Sequence, residues 1–292
     1  MAPVNRVGVA PGVAVGHAER DGKVDGVTQP SDPRATPVLE GVRALVTGGT
    51  SGLGFAMSRA LAQAGARIAL TGRTEQRVQD AATRIGGGAR VTGLLMDVRD
   101  ERSVSAGVDR ALAVLGGVDV LVNNAGIGMR TVNPDFMTEP AGFWQVSPDG
   151  FRDLLATNVL GYFLVARAIV PHMLEAGHGK IVNISVNEAT MRRRGFTPYG
   201  PSRAATDALS HIMAADLAGT GIDVNLLLPG GATRTGMTPD SASADVQATW
   251  LDPAIMGPSI CWLASRASDG ITDQRIVATV FADHPPSAQP PG

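Results

Sequence analysis

The chain has 292 residues, 44% of them apolar and 18% charged, with a formal net charge of −2. That profile excludes a disordered chain, and it gives no overall basic balance that would suggest nucleic acid or an anionic membrane surface. A single cysteine, Cys261, rules out an intrachain disulfide and fits a reducing compartment, so a cytoplasmic location is expected.

Residues 1–40 read as an irregular N-terminal extension. They are rich in Gly, Pro and Asp, and Gln29–Pro37 alone holds three prolines. The apolar patch Val7–Val15 is interrupted by Gly and Pro and preceded only by Arg6, which makes a faint secretory-signal pattern. From residue 41 to 282, strand-like and helix-like stretches alternate. Val42–Thr47, Arg67–Thr71, Arg90–Met96, Val118–Asn123, Lys180–Ser185, Ile222–Leu228 and Gln274–Val280 are short apolar runs suited to buried parallel strands. Leu53–Ala64, Glu75–Arg84, Val104–Leu115, Gly150–Glu175 and Ser202–Leu217 carry helical spacing. The alternation predicts a single α/β domain of the Rossmann type, a doubly wound parallel seven-stranded sheet with helices on both faces, whose ligand site lies at the C-terminal strand ends. Residues 283–292 hold four prolines and read as a flexible tail. No apolar run reaches the ~18 residues a membrane span needs, because Gly161 and Arg167 break the best one and Pro171 closes it.

Chemistry concentrates at the strand ends. Thr47-Gly48-Gly49-Thr50-Ser51-Gly52-Leu53-Gly54 follows the first strand and opens a helix. Glycines there let backbone approach a pyrophosphate, and the helix N-terminus offers unpaired N–H groups. A turn glycine-rich for conformational reasons alone would look the same in isolation. Farther along stand Asn123-Asn124-Ala125-Gly126 after the fourth strand, Asn158 with Gly161 in a helix, Ser185 ending the fifth strand, Tyr199, and Pro229-Gly230 after the sixth.

Together, in this order and spacing, these motifs resemble the short-chain dehydrogenase/reductase family over roughly residues 41 to 280. The resemblance implies hydride transfer between a nicotinamide and a carbonyl or alcohol carbon of a small organic substrate. It makes Tyr199 the acid/base, Ser185 the group that orients the substrate oxygen, and Asn158 the anchor of a proton path. An unassisted tyrosine, with a pKa near ~10, needs a neighbouring cation to act near neutrality. The family places a lysine four residues on, which is the same face of a helix. Here that position is Arg203, which keeps the charge but surrenders no proton. Three readings follow: a retained but reduced oxidoreductase, which is favoured; a non-catalytic dinucleotide-binding protein; and an isomerase or dehydratase on the same scaffold.

Cofactor contacts implied by the resemblance fall on Gly48, Ser51, Gly52, Leu53, Gly54, Asp97, Val98, Asn124, Ala125, Gly126, Tyr199, Arg203, Pro229 and Gly230. Thr233 joins them, with Thr235 left open as the alternative register. Asp97 also reads as a cap for the helix beginning near Asp100. Thr71-Gly72-Arg73 has no acid to hold a ribose 2′-hydroxyl, and Arg73 suits a 2′-phosphate, so NADP(H) is favoured over NAD(H). Arg73 also reads as the solvated start of a helix. The run Arg192-Arg193-Arg194 reads as a solvated surface, with an acidic substrate as the alternative. Asp273 stands where relatives commonly have glycine. The loop from Gly230 to about Met256 is expected to cover the substrate pocket. The five histidines lack metal-ligand spacing, so no metal is expected. Cys261 beside Trp262 reads as a small buried apolar residue. The helix over 150–175, apolar around most of its circumference, suggests a homodimer or homotetramer.

Overall fold

Short β-branched and leucine-rich runs form seven strands: β1 (Arg43–Val46), β2 (Arg67–Gly72), β3 (Val91–Leu95), β4 (Val120–Asn123), β5 (Gly179–Ile184), β6 (Ile222–Leu228) and β7 (Arg275–Val277). The computed structural model describes residues 38–86, 88, 90–239 and 241–283. The expected extension up to residue 37 and the tail from residue 284 lie outside the described residues, as do His17 and His284. All strand pairings are parallel, in the order β3-β2-β1-β4-β5-β6-β7. The order reverses between β1 and β4, and in such a sheet the crevice outside the strand ends at that reversal is the ligand site.

The strands are buried on both faces, which is why their sequences are continuously apolar rather than alternating. On β1, Ala44 and Val46 join one core with Met57 and Leu61, while Leu45 joins the opposite core with Ala69, Leu121 and Ile169. The covering helices are α1 (Gly52–Gln63), α2 (Glu75–Ile85), α3 (Glu101–Leu115), α4 (Pro148–Leu155) and α5 (Gly161–Ala176). They continue with α6 (Glu188–Met191), α7 (Tyr199–Asp216), α8 (Ala244–Ala248) and α9 (Met256–Leu263). Cys261 sits on α9, buried and free, and burial pushes its thiol up to about 11, as a packing residue requires.

Several elements depart from the expected boundaries, β7 among them, which ends at Val277 rather than Val280. The 150–175 helix is continuous from Pro148 to Ala176 but carries a π-helical segment, Ala156–Leu160, which holds Asn158. By length and a mean hydropathy of 1.6 that helix could cross a membrane, contrary to expectation, but it packs on the sheet and half of the apolar window is buried. The helix expected from Ser202 begins instead at Tyr199, because Pro201 falls in the first turn, where a missing N–H costs nothing. Finally, α9 follows the loop that Gly230 opens.

Asp273 has φ 58°, and it is the one described non-glycine residue with a left-handed backbone. That conformation explains a glycine preference there. His211 on α7 meets the Asp273 carboxylate at 2.5 Å and His178 meets Asp119 at 3.2 Å, so these histidines serve as surface partners.

Candidate active site

The first two motifs lock to each other. The Thr47 hydroxyl accepts from the backbone N–H of Asn124 and of Ala125, both at 3.0 Å, and the Asn124 amide donates to the Thr47 and Gly48 carbonyls at 2.9 and 3.2 Å. Gly54 is required by this closeness. A Cβ there would lie 2.3 Å from Asn124 Nδ2 and 2.5 Å from the Gly48 oxygen. The turn delivers the N-terminus of α1, whose Ser51 cap makes no side-chain hydrogen bond, toward a cavity of about 870 Å³.

That cavity runs along the strand ends and brings most of the expected site together. Gly48, Ser51, Gly52, Leu53, Arg73, Asp97, Val98, Asn124, Ala125, Gly126, Ser185, Tyr199, Arg203, Pro229, Gly230 and Thr233 all line it. Gly54 and Asn158 stand behind the lining as braces. Thr235 lines it as well, with its methyl against Gly52, whereas the Thr233 hydroxyl returns to the Gly231 carbonyl at 3.2 Å. Asp97 is not a helix cap: Asp100 accepts from Ser103 N at 2.7 Å in that role. Arg99 holds the Asp97 carboxylate at 2.7 Å and pulls its pKa below the ordinary range. Arg77 and Arg99 line the same end as Arg73, and neither stood out in the sequence.

Two buried polar atoms of lining residues have no partner, the Thr71 hydroxyl and Arg203 Nε. Buried groups of this kind are seldom left unpaired without a ligand or solvent to meet them. Together with the uncapped helix and the arginines in the lining, they fit a dinucleotide.

Tyr199 and Arg203 are one turn apart on α7, with the guanidinium carbon 5.3 Å from the Tyr199 ring centre. Arg203 is 3% exposed. Its Nη1 donates to the Tyr162 hydroxyl at 3.1 Å and to the Ile184 carbonyl at 3.0 Å, while Nη2 passes over Gly126, where any Cβ would lie 2.6 Å away. Burial opposes the charge, but the oxygens of Tyr162 and Tyr199 outweigh it and hold Arg203 firmly protonated. Burial likewise raises the Tyr162 phenol, against the pull of Arg203, so Tyr162 stays neutral. Tyr162 was not singled out in the sequence. Its only signal is a lone polar group on the most buried stretch of an apolar helix.

Asn158 is fully buried and its side chain is spent on structure: Oδ1 accepts from Ile127 N at 2.9 Å, and Nδ2 donates to the Ile127 carbonyl and Ser202 Oγ, both at 3.0 Å. Ser185 follows β5 and lines the cavity. It is 1% exposed, and its hydroxyl donates to Asp207, a carboxylate that is also bound by Arg275 from β7. Asp207 and Arg275, which hold the Ser185 hydroxyl, do not themselves line the cavity. Val186, half-buried, lines the cavity immediately after it. Among the described residues there is no group of His, Cys, Asp or Glu that could hold a metal.

A parallel sheet with this order, a glycine-rich turn at its reversal and a tyrosine–cation pair across the cavity define a nucleotide-dependent oxidoreductase class. The chain matches the short chain dehydrogenase family over residues 43–245, and it belongs to that family. It is 33% identical over 248 residues to gluconate 5-dehydrogenase of Gluconobacter oxydans, covering 81% of this chain and 92% of that one. It is 31% identical over 242 residues to 5-keto-D-gluconate 5-reductase of Escherichia coli, covering 79% and 91%. Among solved structures, a gluconate 5-dehydrogenase from Burkholderia cenocepacia in complex with NADP and tartrate superposes with a TM-score of 0.71 at 32% identity, covering 82% of this chain and 93% of that one. A 3-ketoacyl-(acyl-carrier-protein) reductase from Brucella melitensis complexed with NADH gives 0.72 at 28% identity, covering 82% and 97%. The chain is an NAD(P)-dependent oxidoreductase acting on carbonyl or alcohol groups.

Proposed function

We propose that the chain is an NADP(H)-dependent carbonyl reductase or alcohol dehydrogenase in which Tyr199 moves the proton and Arg203 stands in for the family lysine. The observation that carries this reading is the shared position of Tyr199 and Arg203 on one helix face, in the cavity that begins at the glycine-rich turn. When bound, the nicotinamide supplies or accepts the hydride. Tyr199 gives its hydroxyl proton to the substrate oxygen in reduction and takes it back in oxidation. Arg203, fixed by Tyr162 and Ile184, stabilises the negative charge left on Tyr199 and passes no proton. Ser185 orients the substrate oxygen beside Tyr199, and Asp207 competes for its hydroxyl, which supports a reduced rather than a full family rate. Asn158 acts by bracing the Ile127 loop and the first turn of α7, rather than by touching substrate.

The preference for NADP(H) rests on Arg73 and Arg77 in the cavity lining, Arg99 being paired with Asp97, and on the absence of an acid in Thr71-Gly72-Arg73. The relatives' names point to small carbonyl or alcohol substrates. We place the protein in the cytoplasm as a dimer or tetramer. Half-exposed Leu160, Phe163 and Leu174 on the long apolar helix support association. The test is NADPH and NADH oxidation against a panel of ketones and aldehydes. Turnover with NADPH above NADH, reduced at least about a hundredfold in Tyr199→Phe, is expected. Turnover indifferent to Tyr199→Phe would overturn the assignment.

A further inference from the structure

Beyond Tyr199 the cavity is walled by aromatic and sulfur side chains. Phe136 and Phe196 meet edge to face at 5.4 Å, and Phe196 meets the Tyr199 ring at 6.4 Å, with Met129 packed among them. Of the three consecutive arginines, only Arg193 lines the cavity. Arg192 pairs with Glu188 at 3.4 Å on the surface. Arg193 lays its guanidinium over the Phe196 ring at 4.9 Å and, among the described residues, has no carboxylate partner. Arg130, the other arginine on this side, is occupied by the Gly236 and Thr238 carbonyls. An arginine stacked on an aromatic face keeps its N–H edge free, and that edge matches a carboxylate in two parallel hydrogen bonds.

We propose that Arg193 selects substrates bearing a carboxylate, joined to the reacting carbonyl by an apolar spacer that lies along Phe196. The order Arg193, Phe196, Tyr199 along one wall sets the anion, the spacer and the reacting carbon in that sequence. This rests on the assignment of Tyr199 as the reacting end. Hydroxyls set against Phe136, Phe196 and Met129 gain no hydrogen bonds from those side chains, so this part of the wall favours an apolar spacer over a polyhydroxy one.

The test uses full-length protein saturated with NADP+ and two matched probe pairs, 4-acetylbenzoate and 7-oxooctanoate, each beside its methyl ester, with 5-keto-D-gluconate as the polyhydroxy acid. Dissociation constants come from calorimetry, and NADPH oxidation is followed with the same compounds. Each acid is expected to bind about tenfold tighter than its ester and tighter than 5-keto-D-gluconate. Arg193→Gln should erase most of the acid–ester difference while leaving the esters unchanged, and Arg192→Gln should leave it intact. Equal binding of acid and ester, a preference that survives Arg193→Gln, or no binding by any probe would overturn the role of Arg193. Tighter binding of 5-keto-D-gluconate than of both acids would overturn the apolar spacer. Acid-selective binding without NADPH oxidation would uphold the anion site and overturn the reductase assignment. NADPH oxidation without acid preference would do the reverse.

Discussion

At the scale of single residues, the unusual feature is a guanidinium buried where its charge must be tied down. Arg203 depends on Tyr162, which offers it a neutral oxygen at 3.1 Å inside the apolar helix. Leaving a buried charged donor without its acceptor costs about 1–3 kcal/mol. Tyr162→Phe is therefore expected to lower unfolding free energy in urea by that amount and to slow turnover, while NADPH affinity is kept. Unchanged stability and rate would mean that Ile184 alone holds the guanidinium. This pairing was hidden in the sequence, because Tyr162 and Arg203 lie 41 residues apart and no spacing rule links them. Ser185 illustrates the same limit. Its position at a strand end was legible, but its hydroxyl is captured by Asp207 and Arg275, the latter 90 residues away, and only the fold brings them together.

At the scale of elements, the lock between the two turns sets the cofactor cradle. Gly54→Ala would drive a methyl into Asn124 and the Gly48 carbonyl, so the turn must open. A destabilisation of about 1–3 kcal/mol is expected, with NADPH binding weakened when followed by fluorescence titration. Binding and stability both like the unmodified protein would show that the turn is slack. The strands and α1 to α3 were legible because continuous apolar runs and helical periodicity point the same way. Two helices were less so. Gly200-Pro201 obscures the start of α7 and Gly257-Pro258 that of α9, since a Gly-Pro pair favours turns in general although each sits in a first helical turn here. The π-helical segment around Asn158 has no sequence signature; insertions of this kind recur at functional sites.

At the scale of the whole molecule, the sheet is pinned at the end opposite the cavity. Asp119, just before β4, accepts from Arg43 N, Nε and Nη2 at 2.8, 2.9 and 2.5 Å. Burial pushes its carboxyl upward, and the hydrogen bonds from Arg43 outweigh that and hold it below the ordinary range. A carboxyl depressed in the folded state contributes stability above its unfolded pKa of about 4, and that contribution is lost as pH falls through the folded value. Asp119→Asn should thus lower stability near neutrality by about 1–3 kcal/mol and flatten its fall below pH 4 in acid unfolding curves. An unaltered acid limb would place that sensitivity elsewhere. The seven-stranded parallel sheet and the family resemblance were legible in the motifs from Thr47 to Gly230, whereas the strand order and its reversal between β1 and β4 come from the structure. The direction of side chains such as Ser185 and Arg203 was not legible either, because their partners Asp207, Arg275 and Tyr162 come from distant elements.

The central assignment, proton transfer by Tyr199 beside a buried arginine during hydride transfer, is tested most directly by isotope transfer. Protein incubated with NADPH carrying deuterium at the reactive nicotinamide carbon, and with a ketone it turns over, is followed by mass spectrometry of the product alcohol. One deuterium per product, with labelled product formed at least about a hundredfold more slowly by Tyr199→Phe while NADPH affinity is unchanged, is the expected result. Product that forms without deuterium from doubly labelled NADPH, or labelled product formed at an unchanged rate by Tyr199→Phe, would contradict it.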